Sequence, residues 1–297
     1  MFDLKDYLAA LRLSVDEQLL QYLGGFSPDR RIARAMVHSV MAGGKRLRPI
    51  LCISAAETVG FGRQNVLPIA CALEFVHTYS LIHDDLPAMD DDDRRRGKPT
   101  CHVAFDEATA ILAGDALLTL AFEIMANAGG RCPADRRGRW LQAIAEVASA
   151  AGFNGMIEGQ MQDMAFEGTS ISQRALENLH RLKTGRIIEA AVRAGARIAG
   201  ASATQLQALT TYAHNIGLAF QVADDILNIT GDPEKLGKAT GTDQSRGKNT
   251  YPALLGLDAA GQLAASLVND ALNAIESFDK RADSLRAIAR YVIARNR

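Results

Sequence analysis

Two acidic stretches stand at the ends of apolar runs, and their residue types suit the capture of a phosphorylated ligand through divalent cations. The first, EFVHTYSLIHDDLPAMDDDDRRRGKPT, covers residues 74–100. Its apolar run, 75–82, leads into Asp84 and Asp85; Asp90 to Asp93 follow, with Arg94, Arg95 and Arg96 directly behind. Adjacent aspartates repel one another, so such a helix end is costly unless a counter-charge arrives. Magnesium takes oxygen ligands, commonly one or two carboxylates plus substrate phosphates, and arginines suit those same phosphates. An isolated acidic run is often no more than a solvated helix cap. The second stretch, FQVADDILN at 220–228, weighs against that reading: Gln221, Asp224 and Asn228 share one helical face, with Asp225 beside them. Asp84 and Asp90 are six apart and share no face of a regular helix, so a break at Pro87 is needed to swing Asp90 back.

Basic and small residues elsewhere complete the chemistry. Gly43-Gly44-Lys45-Arg46-Leu47-Arg48-Pro49 offers glycines that let the backbone approach a ligand, then cations, then a proline suited to a first helical turn. This reads as a pyrophosphate pocket or, since it lacks P-loop spacing, as a solvated basic loop. His77 lies about two turns before Asp84 on roughly the same face, either as a phosphate donor or as a satisfied core histidine. Tyr79 and Ser80 sit ~6–7.5 Å below Asp84 by helical rise, so anything hanging from a metal-bound phosphate meets them. Farther on come GMIEGQMQ with Asp163 behind it, Lys183-Thr184-Gly185, and a glycine-rich loop bearing Lys235, Lys238, Arg246 and Lys248 that could fold over a charged ligand as a lid. Two carboxylate clusters facing one cavity would hold a diphosphate through magnesium. On an allylic skeleton its departure leaves a stabilised carbocation, which needs positioning, electrostatic support and a dry cavity.

The elements that must position these residues are helices. Alanine and leucine dominate, prolines fall mostly in connectors (Pro28, Pro99, Pro133, Pro233), and runs of alternating β-branched residues are absent. Helices are predicted at 2–23, 29–41, 48–60, 65–86, 101–128, 135–155, 172–199, 203–228, 249–273 and 281–295. No composition shift or short repeat divides the chain, so residues 1–297 are expected to form a single domain, one large all-α helical bundle around a central cavity. With 48% hydrophobic residues and a net charge of -1 there is no general attraction to nucleic acid or anionic membrane. The N-terminus lacks the pattern of an export signal, and the apolar run 108–128 carries Asp115 and Glu123, making it a poor membrane span; a soluble, cytoplasmic protein is expected. Cys52, Cys71, Cys101 and Cys132 have no CxxC spacing and read as reduced thiols, without zinc or disulfides.

Taken together, LIHDDLPAMDDDDRRRGKPTCH, GGKRLRP, GQMQD, KTG, FQVADDILN and GKNTYPALLG resemble the short-chain trans-polyprenyl diphosphate synthases, the bacterial farnesyl type in particular, across about residues 40–297. The resemblance implies the isoprenoid synthase fold and Asp84 and Asp90 as direct magnesium ligands with Asp85 close by. It implies Asp224 as a ligand in the second site, and three magnesium ions in all, with manganese as a substitute. Arg95, Lys183 and Lys238 would then grip the allylic diphosphate, with Lys248 also at the substrate. Gly44, Lys45, Arg48, His77 and Arg96 would hold isopentenyl diphosphate. Thr184 and Gln221 would stand near the developing cation, and the departing pyrophosphate would take the final proton. Tyr79, the two-residue insertion Pro87-Ala88 and the small Ser80 imply a path from dimethylallyl through geranyl to farnesyl diphosphate. Geranyl or geranylgeranyl diphosphate is the alternative product. A terpene cyclase would not need GGKRLRP, and a noncatalytic subunit would not need both sets of aspartates. A homodimer follows from the resemblance alone. One departure stands out: DDILN replaces the family's DDxxD, so Asn228 brings a carbonyl but no charge.

Overall fold

The computed structural model describes residues 2–231 and 248–294, and most of them lie in helices. In chain order these are α1 (Leu4–Gly24), α2 (Arg31–Val40), α3 (Leu47–Thr58), α4 (Leu67–Asp84), α5 (Cys101–Ala104), α6 (Glu107–Arg131) and α7 (Arg137–Ala151). Then follow α8 (Met156–Ala165), α9 (Gln173–His180), a π-helical turn (Arg181–Gly185), α10 (Arg186–Ala199), α11 (Ala203–Thr230), α12 (Tyr251–Leu255), α13 (Leu257–Ala274) and α14 (Asp283–Ala294).

The all-α expectation holds, with one small addition. Strands β1 (Arg94–Arg95) and β2 (Lys98–Pro99) pair antiparallel between α4 and α5, Arg95 opposite Lys98. Two residues per strand are too few to show a sequence pattern, and the hairpin turns through Arg96 and Gly97, both at positive φ. Other differences have local causes. The predicted helix 101–128 breaks because the Asp106 side chain accepts from Thr109 N at 2.6 Å and starts α6 afresh. The segment predicted as 249–273 divides at Gly256, whose φ of 84° a helix interior does not accept. Helix α8 fell between two predicted helices, and the predicted helix 172–199 contains the π turn.

Helix α4 is the axis. Residues 69–73, 75 and 76 are buried on every side, so α4 is apolar all round in the manner of a central helix. It packs along α6, whose inner stripe is Ala110, Ala113, Gly114, Leu117 and Ala121; small side chains there let the two backbones approach. Helix α10 lies against α3, where a Cβ at Gly195 would collide with the Cys52 carbonyl. Helix α11 packs against α13, and its N-terminus is closed by a capping box between Ser202 and Gln205. By length and composition α6 is apolar enough to cross a membrane, but Asp115 and Glu123 interrupt it and its inner face is packed on α4.

Candidate active site

The C-terminal end of α4 builds the first acidic site. Leu86 N and Met89 N close short turns on His83 O and Leu86 O, and the chain then doubles back so that Asp90 N donates to Asp84 O at 2.8 Å. Asp92 N reaches Asp85 O, with Asp91 at a positive φ of 53° between them. The break expected at Pro87 is therefore present, and it cancels the six-residue offset. Burial pushes the Asp84 carboxyl up to about 6; Asp90 and Asp85 add to this, while Lys183 and Arg95 oppose it.

Asp85 has a different surrounding. It is 3% exposed, lies outside the cavity wall, and takes Arg95 in a two-pronged pair, with Nε 2.7 and 2.9 Å from its two oxygens. Arg95 thus anchors the β1–β2 ribbon to α4, with Asp92 3.6 Å away on its solvent side.

The basic loop divides between fold and site. Arg46 sits at φ 50° before α3 and is 2% exposed; its Nε and NH1 pair with Asp16 and Glu74 and its NH2 donates to Val40 O. It belongs to the core. Arg96, also at positive φ, donates to Gly43 O, and a Cβ at Gly44 would lie 2.6 Å from its NH1. In this structure the glycine pair is approached by the Arg96 guanidinium. Lys45 is exposed and borders a small separate hollow with Leu8 and Tyr291. Arg48 does reach the main cavity, with its buried Nε lacking a hydrogen-bond partner. Burial holds its guanidinium down near about 10, and Arg96 adds to this, while Glu74 and Asp224 pull the other way. Burial, reinforced by Arg48, Arg96 and Arg95, keeps His77 well below the ordinary histidine range, so its ring is neutral.

The cavity measures about 490 Å³. Asp84, Arg48, His77 and Lys183 give it a charged and polar part, while Tyr79, Met89, Met156, Ile157, Met161 and Met164 supply apolar wall; Ser80, Gln160 and Thr184 complete it. Lys183 and Thr184 come from the π turn, a feature that often marks functional positions because it offsets side chains from a regular helix. Two glycines permit it. A Cβ at Gly159 would strike the Lys183 backbone, and one at Gly217 would stand 3.1 Å from Gly185 Cα.

Asp163, noted in the sequence only as the residue behind GMIEGQMQ, proves to be the hub of the cations. Its Oδ2 lies 2.5 Å from Lys183 Nζ and 3.4 Å from Lys248 Nζ, and Lys248 also donates to Asp90 at 3.2 Å. Burial alone would raise its carboxyl, but the two lysines outweigh burial and hold it below the usual range. The order Lys183–Asp163–Lys248–Asp90 joins α8, the π turn, the segment before α12 and the first acidic site.

The second acidic site meets the cavity through Thr184. Its Oγ1 donates to Gln221 Oε1 at 3.3 Å, and Gln221 Nε2 donates to Asp225 Oδ1 at 2.9 Å. Asp225, 3% exposed, turns inward and accepts from Tyr251 N at 3.0 Å, starting α12. Asp224 is the half-buried member of the pair, and its charge acts on Arg48 across the cavity wall. Asn228 is buried. Lys238, with Lys235 and Arg246, lies outside the described residues, so the expected lid is described only at Lys248. Among the described residues no three histidine, cysteine or acidic side chains converge as a closed metal site. The oxygen pair Asp84 and Asp90, with one carboxyl already disfavoured as an anion, fits a hard cation that fills its remaining positions from water or substrate.

An all-helical bundle in which Asp84, Arg48 and Lys183 line a largely apolar hollow, with the second acidic site joined to it through the Thr184–Gln221 hydrogen bond, has the features of an isoprenoid synthase. The chain belongs to the polyprenyl synthetase family, whose profile matches residues 29–290. It is 48% identical to the farnesyl diphosphate synthase of Escherichia coli (strain K12), with 90% of each chain covered. It is 44% identical to the geranylgeranyl diphosphate synthase of Cyanophora paradoxa over 99% of this chain and 97% of that one. A solved FPP/GFPP synthase of Zymomonas mobilis superimposes with a TM-score of 0.85 at 37% identity, covering 98% of both chains.

Proposed function

We propose that this chain is a prenyltransferase that joins isopentenyl diphosphate head to tail with dimethylallyl and then geranyl diphosphate, and stops at farnesyl diphosphate. The farnesyl diphosphate synthase of Escherichia coli at 48% identity supports the farnesyl product over the geranylgeranyl one. The observation that carries the farnesyl reading is Tyr79, 6% exposed and part of the cavity wall one turn below Asp84, with the small Ser80 beside it.

Asp84, Asp90 and Asp224 would hold the metal, three magnesium ions with manganese as a substitute. A divalent cation held there would supply charge neutralisation at the diphosphate oxygens, so that the group could leave as a stable anion. Lys183, Arg95, Lys248 and Lys238 take the outer oxygens of the allylic diphosphate. Arg48, His77, Arg96 and Gly44 would form the isopentenyl diphosphate pocket, where neutral His77 donates a hydrogen bond without adding charge, and Lys45, which here borders a separate hollow, would join it on turning toward the ligand. The allylic C–O bond breaks with its electron pair going to diphosphate, the isopentenyl alkene forms the new C–C bond, and a proton then leaves to the diphosphate. Because Gln221 Nε2 is committed to Asp225, its Oε1 faces the Thr184 hydroxyl, which leaves the Thr184 lone pairs available to the cavity. Fixed oxygen dipoles of that kind favour a developing cation. The methionine and tyrosine walls keep water from it. Free thiols at Cys52, Cys71 and Cys101 suit a reducing compartment and support a cytoplasmic enzyme, while the homodimer rests on the family resemblance alone.

Incubating the chain with isopentenyl and dimethylallyl diphosphates, with and without magnesium, tests the reading; farnesyl diphosphate should form only with the metal. Ionisation without condensation would instead indicate a cyclase, which the Arg48, His77 and Arg96 pocket opposes. Gly44→Ala tests that pocket. Its methyl would displace the Arg96 guanidinium, and KM for isopentenyl diphosphate should rise roughly tenfold while KM for the allylic substrate stays near wild type. Equal effects on both substrates would detach Arg96 from the isopentenyl side.

A further inference from the structure

His83 lines the cavity next to Asp84, yet the reaction just described gives it no task. Its Nε2 lies 3.0 Å from the Ile111 carbonyl of α6, and an oxygen that can only accept fixes the ring proton on Nε2. The imidazole fits against α6 because residue 114 is glycine: a Cβ built there would collide with the Nε2 edge of the ring. On its other side the ring stands edge-on to Tyr79, with centroids 5.8 Å apart and planes at 80°.

We propose that the notch formed by His83 and Gly114 is a second determinant of product length. It sets how far the imidazole withdraws from the cavity, and so how much wall beside Tyr79 lies open to the growing chain. This rests on the prenyltransferase reading above. Tyr79 and His83 are four residues apart on α4, so they share a face and each ring limits the other. Helix α6 cannot retreat, because Gly114 lies in its packed inner stripe between Ala110 and Leu117. A methyl group at 114 therefore moves the ring rather than the helix. With α6 on one side and Tyr79 on another, the hollow is where the ring can go, and the bond to Ile111 is lost.

Product chromatography on the full chain is the main test. Gly114→Ala should raise the ratio of geranyl to farnesyl diphosphate roughly tenfold, the factor that about 1.4 kcal/mol of differential fit gives. His83→Ala, which opens the notch, should shift products beyond farnesyl diphosphate. In the double variant the shortening should vanish, because no ring remains to be displaced. A glycine needed only for packing would lower yield and melting temperature with the product ratio unchanged; that result, or equal shortening in the double variant, overturns the proposal. Should Gly114→Ala fail to fold, His83→Ala decides alone, and wild-type product lengths refute it. Histidine nitrogen NMR gives a readout independent of turnover. The wild type should show His83 protonated on Nε2 and hydrogen-bonded, Gly114→Ala should lose that signature, and its retention refutes the proposal. A wild-type chain that condenses nothing would instead remove the prenyltransferase reading, with the NMR result still deciding whether Gly114 seats His83.

Discussion

Asp84→Asn is expected to lower turnover on the order of 10³-fold and, in the metal-free protein near neutral pH, to raise the melting temperature. The two effects share one cause. Burial pushes the Asp84 carboxyl up to about 6, from the ordinary ~3.9 of an unfolded chain. An acid with a raised folded value holds more protons folded than unfolded between those limits. Its ionisation therefore subtracts stability as pH rises through the window, and the full penalty stands above about pH 6. The amide removes that penalty along with the charge the cation needs. A gain of about 1 kcal/mol would appear as roughly 2–4 °C in a chain of this size. The gap between variant and wild type should shrink as pH is lowered through about 6 and close near pH ~4, and magnesium activation of the wild type should weaken across the same range, because proton and cation compete for one carboxylate. Thermal scans at several pH values with metal removed provide the check. A variant that melts no higher than wild type throughout would show that Asp84 carries no such strain.

Ser80→Phe and Tyr79→Ala should move the product in opposite directions. Ser80 lies in the cavity wall with its hydroxyl donating to His77 O at 2.9 Å. A phenyl ring there projects into space the second condensation requires, so geranyl diphosphate should become the main product, with the ratio changed by ~10-fold or more. Tyr79→Ala removes a ring that is 6% exposed and should let the chain grow past farnesyl diphosphate, at a stability cost approaching ~3 kcal/mol for a lost buried aromatic. Labelled isopentenyl diphosphate and chromatography separate the products. An unchanged spectrum in both variants would remove Tyr79 and Ser80 from the control of length.

The acidic stretches were legible in the sequence because chemistry-bearing residues are concentrated there against an apolar background. The same residues did not reveal which way each would point. Asp84 and Asp85 are neighbours, yet one enters the cavity and the other is held by Arg95; that choice is made by the turn that returns Asp90 to Asp84. In the same way a left-handed φ at Arg46 sends its guanidinium to Asp16 and Glu74, whereas Arg48, two residues on, reaches the cavity. Asp225 stood in the sequence only as the neighbour of Asp224, and its own task, orienting Gln221 and beginning α12, appears in the folded chain alone. Asp163 was visible as an acidic residue, but its hold on Lys183 and Lys248 joins positions 20 and 85 residues apart, beyond the reach of local spacing. The helical periodicity that revealed the bundle also concealed the π turn, since the composition of Arg181–Gly185 suits an ordinary helix.

That turn has a consequence for how such a chain can change. Restoring regular geometry by deleting a single amino acid would leave the flanking helices facing much as they do, because the wide turn already absorbs one extra residue, but it would remove the local offset that gives Lys183 and Thr184 their present aim. Point substitutions can therefore retune the walls one side chain at a time, whereas a deletion in this stretch moves Lys183 and Thr184 together.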